Sequence, residues 1–130
     1  MLERGGGAIL NVSSIAGDMP GPQSATYNAT KAFVTSFSEA LHEQLRKKGV
    51  TVTALCPGLT TTEFQDRAGL EEIQAPGFVW QSADEVAAVG LEAAAKGKAV
   101  VVSGNVNKVA SRFLRSMPRD VTRWISGQAG

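Results

Sequence analysis

Tyr27 and Lys31 stand four residues apart in YNATK, and Ser14 lies thirteen residues before the tyrosine. Positions i and i+4 of a helix share one face, so a helical run makes the phenol and the ammonium neighbours. A free phenol titrates near 10 and exchanges protons poorly at neutral pH. An ammonium beside it favours the phenolate. Lowering a phenol by about 2–3 units takes roughly 3–4 kcal/mol of differential stabilisation. A close lysine, helped by a cationic cofactor ring, is of that order. Such a tyrosine can give a proton to a carbonyl oxygen or take one from an alcohol. Ser14 can hydrogen-bond the same oxygen and stabilise charge as it develops. Tyr-x-x-x-Lys is common by chance, so its meaning depends on the elements that hold it.

Those elements follow from apolar periodicity. AILNV, residues 8–12, is a short β-branched run between glycines and SSIAG, which predicts a buried strand. GDMPGPQ carries two prolines and two glycines and predicts a loop. Residues 24–48 carry apolar side chains at Ala29, Phe33, Phe37, Ala40, Leu41 and Leu45, a helical spacing. Arg46, Lys47 and Lys48 suit its last turn, and Gly49 its left-handed cap. VTVTALC, residues 50–56, is a second strand, ended by Pro57 and Gly58. Strand, long helix and strand make a right-handed crossover with parallel pairing. SADE opens a helix with a capping box at Ser82 and Glu85. Residues 99–104 predict a third strand, 105–117 a helix ended by Pro118, and 119–126 a final helix. The order β-α-β-α-β-α describes a parallel α/β sheet with helices on its faces.

Ligands of such sheets bind beyond the carboxyl ends of the strands. That rule selects SSIAG after the first strand, CPGLTTTEF after the second, and the start of the long helix with Tyr27. In this order and at this spacing, the three segments resemble the short-chain dehydrogenase/reductase family, with its serine, its Tyr-x-x-x-Lys helix and its strand-Pro-Gly turn. The resemblance implies a Rossmann-like doubly wound fold and an NAD(P)-dependent oxidoreductase that interconverts a carbonyl and an alcohol by hydride transfer. It makes Tyr27 the acid/base. Lys31 tunes it and binds the nicotinamide ribose, and Ser14 polarises the substrate carbonyl. Pro57, Gly58 and Leu59 approach the nicotinamide through backbone, and Thr62 contacts its carboxamide or phosphates. NAD against NADP is not readable, because the segment that selects the ribose has no counterpart here.

The same resemblance marks what is missing. GGG, residues 5–7, precedes a strand, whereas a phosphate-cradling loop follows one and opens a helix. The glycines read as the end of a preceding helix, of which MLER is the stub. The chain therefore reads as one partial domain over residues 1–130: the C-terminal, catalytic half of the fold without its dinucleotide-binding half. The first strand is then an unpaired edge, and binding of a dinucleotide by this chain alone is expected to be poor. The rival reading is a catalytically incompetent fragment that acts at most by association, as a homo-oligomer through the helix at 27–48. Ala29, Phe33 and Phe37 would serve that contact.

Composition agrees with a globular domain, at 43% hydrophobic and 19% charged residues. A net charge of +1 gives no argument for nucleic acid, and no apolar run approaches the roughly 20 residues of a spanning helix. The single Cys56 fits a reducing compartment, so a cytoplasmic location is expected, with no metal site. Cys56 reads as a small buried residue, Ser13 and Asn11 as structural, and His42 as a surface residue. Phe64, Leu70, Ile73, Phe78, Val79 and Trp80 either pack or form a substrate-covering lobe, which would favour a small apolar carbonyl substrate. The tail over 105–130 holds Lys108, Arg112, Arg115, Arg119 and Arg123 against Asp120 alone. With Val109, Phe113 and Met117 as one apolar stripe, it reads as a solvated amphipathic helix rather than a membrane contact.

Overall fold

The structure, a computed structural model, describes residues 1–61 and 75–128. Its centre is β2 (Val50–Cys56), flanked by β1 (Gly7–Val12) and β5 (Val100–Val102) in a parallel sheet ordered β1-β2-β5. β2 holds Val50, Val52, Ala54, Leu55 and Cys56 out of water, as a parallel strand covered on both faces must. β1 is an edge among the described residues and leaves Val12 exposed.

Helix α1 (Ala25–Leu45) and helix α2 (Ala83–Ala95) cover opposite faces. The alternation of the strands shows it. Asn11 and Cys56 meet Ser38 and Thr35 of α1, whereas Leu10 and Leu55 reach Gly90 of α2. α1 runs into a single 3-10 turn at Arg46–Lys48 and stops at Gly49, whose φ of 80° is the left-handed cap the sequence predicts. Ser82 and Glu85 close the capping box of α2 in both directions. Residues 2–5 form a turn before β1. Gly5 N donates to Leu2 O and Gly6 N to Met1 O, with Gly5 at φ 69° in the left-handed region that glycine favours.

Two short strands escaped the sequence reading. β3 (Thr60–Thr61) pairs in parallel with β4 (Gln81–Ser82), pinning both ends of the segment between them. Two-residue strands carry no periodicity to detect. Past β5, helix α3 (Asn105–Ser116) and helix α4 (Arg119–Gln128) close the chain.

α1 overturns one expectation and makes a choice left open. His42 is buried, and its Nδ1 donates to Val52 O at 2.9 Å, so it is not a surface residue. Ala29, Phe33, Phe37 and Ala40 of the apolar stripe face outward instead, while Leu41 and Leu45 are half-buried. Phe33 is 65% exposed and stacks on Phe37 at 5.5 Å, while Asn28, Thr35, Ser38 and His42 face inward. Small polar groups pack here because each finds a partner: Ser38 donates to Val34 O, and Thr35 to Lys31 O.

Candidate active site

Ser14 is held by the backbone on either side of it. Ser13 N donates to Leu55 O at 2.7 Å and Ile15 N to Pro57 O at 3.0 Å. These bonds extend the β1–β2 ladder past the end of β1 and set Ser14 beside the Pro57–Gly58 turn. The Ser14 hydroxyl accepts from Ala16 N at 3.1 Å and so caps the 3-10 turn Ile15–Asp18. Gly17 lets that turn lie against α1, because a Cβ there would stand 2.6 Å from Ala32 N.

Lys31 is gripped at both ends by the same strand terminus. Its Nζ donates to Val12 O at 3.1 Å, and its own carbonyl accepts from Ser13 Oγ at 2.7 Å. The ammonium also lies 5.6 Å from the centre of the Tyr27 ring, within range of a cation–π contact. Tyr27 is exposed, and its hydroxyl has no hydrogen-bond partner among the described residues. The structure thus gathers Ser14, Tyr27, Lys31 and Pro57 at one rim, through Val12, Ser13 and Ile15. Ser13 and Asn11 are the structural residues the sequence suggested.

Gly58 and Leu59 turn into the protein. A Cβ on Gly58 would lie 2.3 Å from the Asn107 amide, so α3 requires glycine there. Leu59 O accepts from Gln81 N at 3.0 Å. Asn107 donates to Ser103 O, and the Gln81 amide lies 2.7 Å from Ser103 Oγ, a polar layer beneath the turn. Thr62, Phe64, Leu70 and Ile73 lie outside the described residues. Phe78 is exposed, and Trp80 donates from Nε1 to Ala75 O. Cys56 is buried under α1, and burial pushes its thiol up from the ordinary value.

Sequence reasoning missed a clamp on the Ser14 turn. Asp18 accepts from Ser111 Oγ at 2.5 Å and from Arg115 Nε at 2.7 Å. It also missed Asn28, inside YNATK, which donates to Met19 O and accepts from Ser24. Asp18 sits in a Gly/Pro-rich loop and its partners are 93 and 97 residues away, so no local signal points to it. A groove of about 760 Å³ runs between this loop, α1 and α4, lined by Met19, Pro20, Ala25, Ala29 and Trp124.

The rim presents a phenol, a serine hydroxyl and an ammonium with two N–H bonds beyond the one to Val12 O. That donor set suits a carbonyl oxygen and the hydroxyls of a ribose. It fits the nicotinamide end of a dinucleotide. The loop from β1 to α1, SSIAGDMPGPQS, lacks a Gly-x-Gly-x-x-Gly run for a pyrophosphate.

Known proteins resemble the chain in sequence and fold. Residues 1–72 match the family described as short chain dehydrogenase. A very-long-chain 3-oxoacyl-CoA reductase of Mus musculus is 36% identical over 117 residues, which cover 88% of this chain and 36% of that protein. A short-chain dehydrogenase of Burkholderia cenocepacia, solved with NADP, superposes with a TM-score of 0.74 at 25% identity, over 96% of this chain and 49% of its own. One from Sphingobium yanoikuyae, solved with NADPH, gives a TM-score of 0.71 at 25% identity over 91% and 48%. The chain thus spans about a third of the curated relatives and about half of the solved structures. With the serine, the Tyr-x-x-x-Lys helix and the Pro-Gly turn on one rim of a parallel sheet, it belongs to the short-chain dehydrogenase/reductase family.

Proposed function

We propose that this chain is the catalytic half of a reductase that interconverts a carbonyl and an alcohol with NAD(P)(H). The observation that carries the reading is the double grip on Lys31, which sets its ammonium beside Tyr27 at the strand end that leads into Ser14. When bound, the nicotinamide supplies the hydride to the carbonyl carbon. Tyr27 gives its hydroxyl proton to the carbonyl oxygen, and the Lys31 ammonium stabilises the phenolate left behind. Ser14 donates to the same oxygen as its charge develops. Lys31 has donors left for the ribose hydroxyls, the Pro57–Leu59 backbone would wall a bound nicotinamide, and Thr62, three residues on, would contact its carboxamide or phosphates. The names of the reductase relatives point to a 3-oxoacyl thioester, an apolar acyl chain with a carbonyl.

The test is reduction of a 3-oxoacyl thioester, followed by loss of NADPH absorbance. It is run on this chain and on the same chain with any in-frame sequence upstream of Met1 restored. The extended protein is expected to turn over, and Tyr27→Phe to lower its rate about 10²–10⁴-fold. Undiminished activity in Tyr27→Phe refutes the mechanism. This chain alone is expected to bind NADPH weakly, and tight binding by calorimetry refutes its division from a dinucleotide-binding half.

One observation favours a second role. Phe33 and Phe37 form an exposed stacked pair on the outer face of α1. A second copy meeting that face would bury both rings in a two-fold contact. Native mass spectrometry of the chain and of Phe33→Glu distinguishes a helix-mediated dimer from a monomer.

A further inference from the structure

Helix α3 is seated by its polar face. Asn107, Ser111 and Arg115 stand one turn apart and bond Ser103 O and Asp18. Val109 and Phe113 of the apolar stripe are 72% and 61% exposed, so that stripe does not hold the tail to the sheet. The bonds from Ser111 and Arg115 end on one carboxylate, and Asp18 is only 6% exposed. Asp18 is the last residue of the 3-10 turn Ile15–Asp18 that Ser14 caps. Ile15, Ala16 and Gly17 carry no polar side chain, so Asp18 is the residue of that turn whose side chain can fix it by directional bonds.

The turn decides how Ser14 is presented. Ala16 N donates to Ser14 Oγ at 3.1 Å, which occupies an acceptor site and leaves the hydroxyl proton to be given. Donation to a developing oxyanion needs that proton, and one side-chain rotamer to aim it. The β1–β2 ladder holds the start of the turn, through Ile15 N and Pro57 O, and α3 holds its end. We infer that Asp18, gripped by Ser111 and Arg115, is a positioning residue that aims the Ser14 proton at the substrate oxygen, which rests on the proposed role of Ser14 as donor to that oxygen. A clamp that served stability alone would leave the Ser14 rotamer and the rate per folded molecule unchanged.

Two variants, Asp18→Asn and Ser111→Ala, test this, each checked for folding by circular dichroism. In this chain the Ser14 Hα–Hβ couplings in nuclear magnetic resonance should report one χ1 rotamer, and both variants should average them. The Ala16 amide should exchange at least about fivefold faster in both, while the Ser13 amide follows global stability alone. Rates are read on the protein with its in-frame upstream sequence restored. There Asp18→Asn should lower kcat about tenfold with KM changed less than about twofold, the mark of an interaction made in the transition state. Ser14→Ala should cost about 10²–10³-fold, and in that background Asp18→Asn should change kcat less than about twofold. Unmoved couplings in both folded variants overturn the inference, and so does an Asp18→Asn loss that persists at full size in Ser14→Ala. Undiminished activity in Ser14→Ala overturns the role proposed for Ser14 and the inference with it. The couplings, averaged in that case as well, tell it from a failed clamp.

Discussion

Replacing Asp18 by alanine should loosen α3 from the loop that carries Ser14. The Asp18 carboxylate is 6% exposed and holds two donors, Ser111 Oγ and Arg115 Nε. The serine is buried, so its bond to a charged acceptor contributes about 1.5–3 kcal/mol. Arg115 is 38% exposed, and water screens that pair, so its share is at most about 1 kcal/mol. Asp18→Ala should therefore cost roughly 2–4 kcal/mol. Asp18→Asn keeps one acceptor for Ser111 and should cost about half as much.

Urea unfolding followed by circular dichroism measures the loss. Hydrogen exchange locates it: α3 amides should lose protection together with residues 14–18, while β2 amides should follow only global stability. A double-mutant cycle with Arg115→Ala should give a coupling of about 0.5–1 kcal/mol. An Asp18→Ala chain within about 0.5 kcal/mol of native stability refutes the clamp, since that is the range of an uninvolved surface substitution. So does an α3 whose exchange is unchanged.

Gly58→Ala should destabilise by about 1–3 kcal/mol, because the new methyl meets an Asn107 amide already bonded to Ser103 O. Adding Asn107→Ala should recover part of that loss in the same urea assay, a non-additivity that only direct contact gives. Cys56 should resist thiol reagents until the chain unfolds, since it is buried and burial raises its thiol. Its raised folded-state value also fixes a sign. The thiol's contribution is full below the unfolded value near 8.5 and fades as pH rises above it. The urea midpoint should therefore fall in that alkaline window for the native chain and less for Cys56→Ala.

The catalytic candidates were legible because they depend on spacing along the chain. One turn of helix relates Tyr27 to Lys31, and a strand end followed by a short loop sets Ser14. The capping box at Ser82 and the cap at Gly49 were legible for the same reason. The Asp18 clamp and the fit of Gly58 to Asn107 were not, since they join segments that meet only after the sheet forms.

The period of a helix and its orientation are different kinds of information. Spacing gave α1 and α3 correctly, but polarity misleads about which face turns inward. Burying a serine, threonine or histidine costs little once its polar atoms are bonded. Ser13, Thr35, Ser38 and His42 all are, to carbonyls or hydroxyls at fixed positions. Directional bonds specify an angle of rotation, which a greasy stripe does not. The bonds that turn α1 to present Tyr27 and Lys31 at the rim therefore also leave Phe33 and Phe37 outside. On that argument the exposed aromatics follow from how the site is held. Replacing the inward hydroxyls by apolar residues should blur the rotation of α1, and with it the grip on Lys31, before it reduces stability.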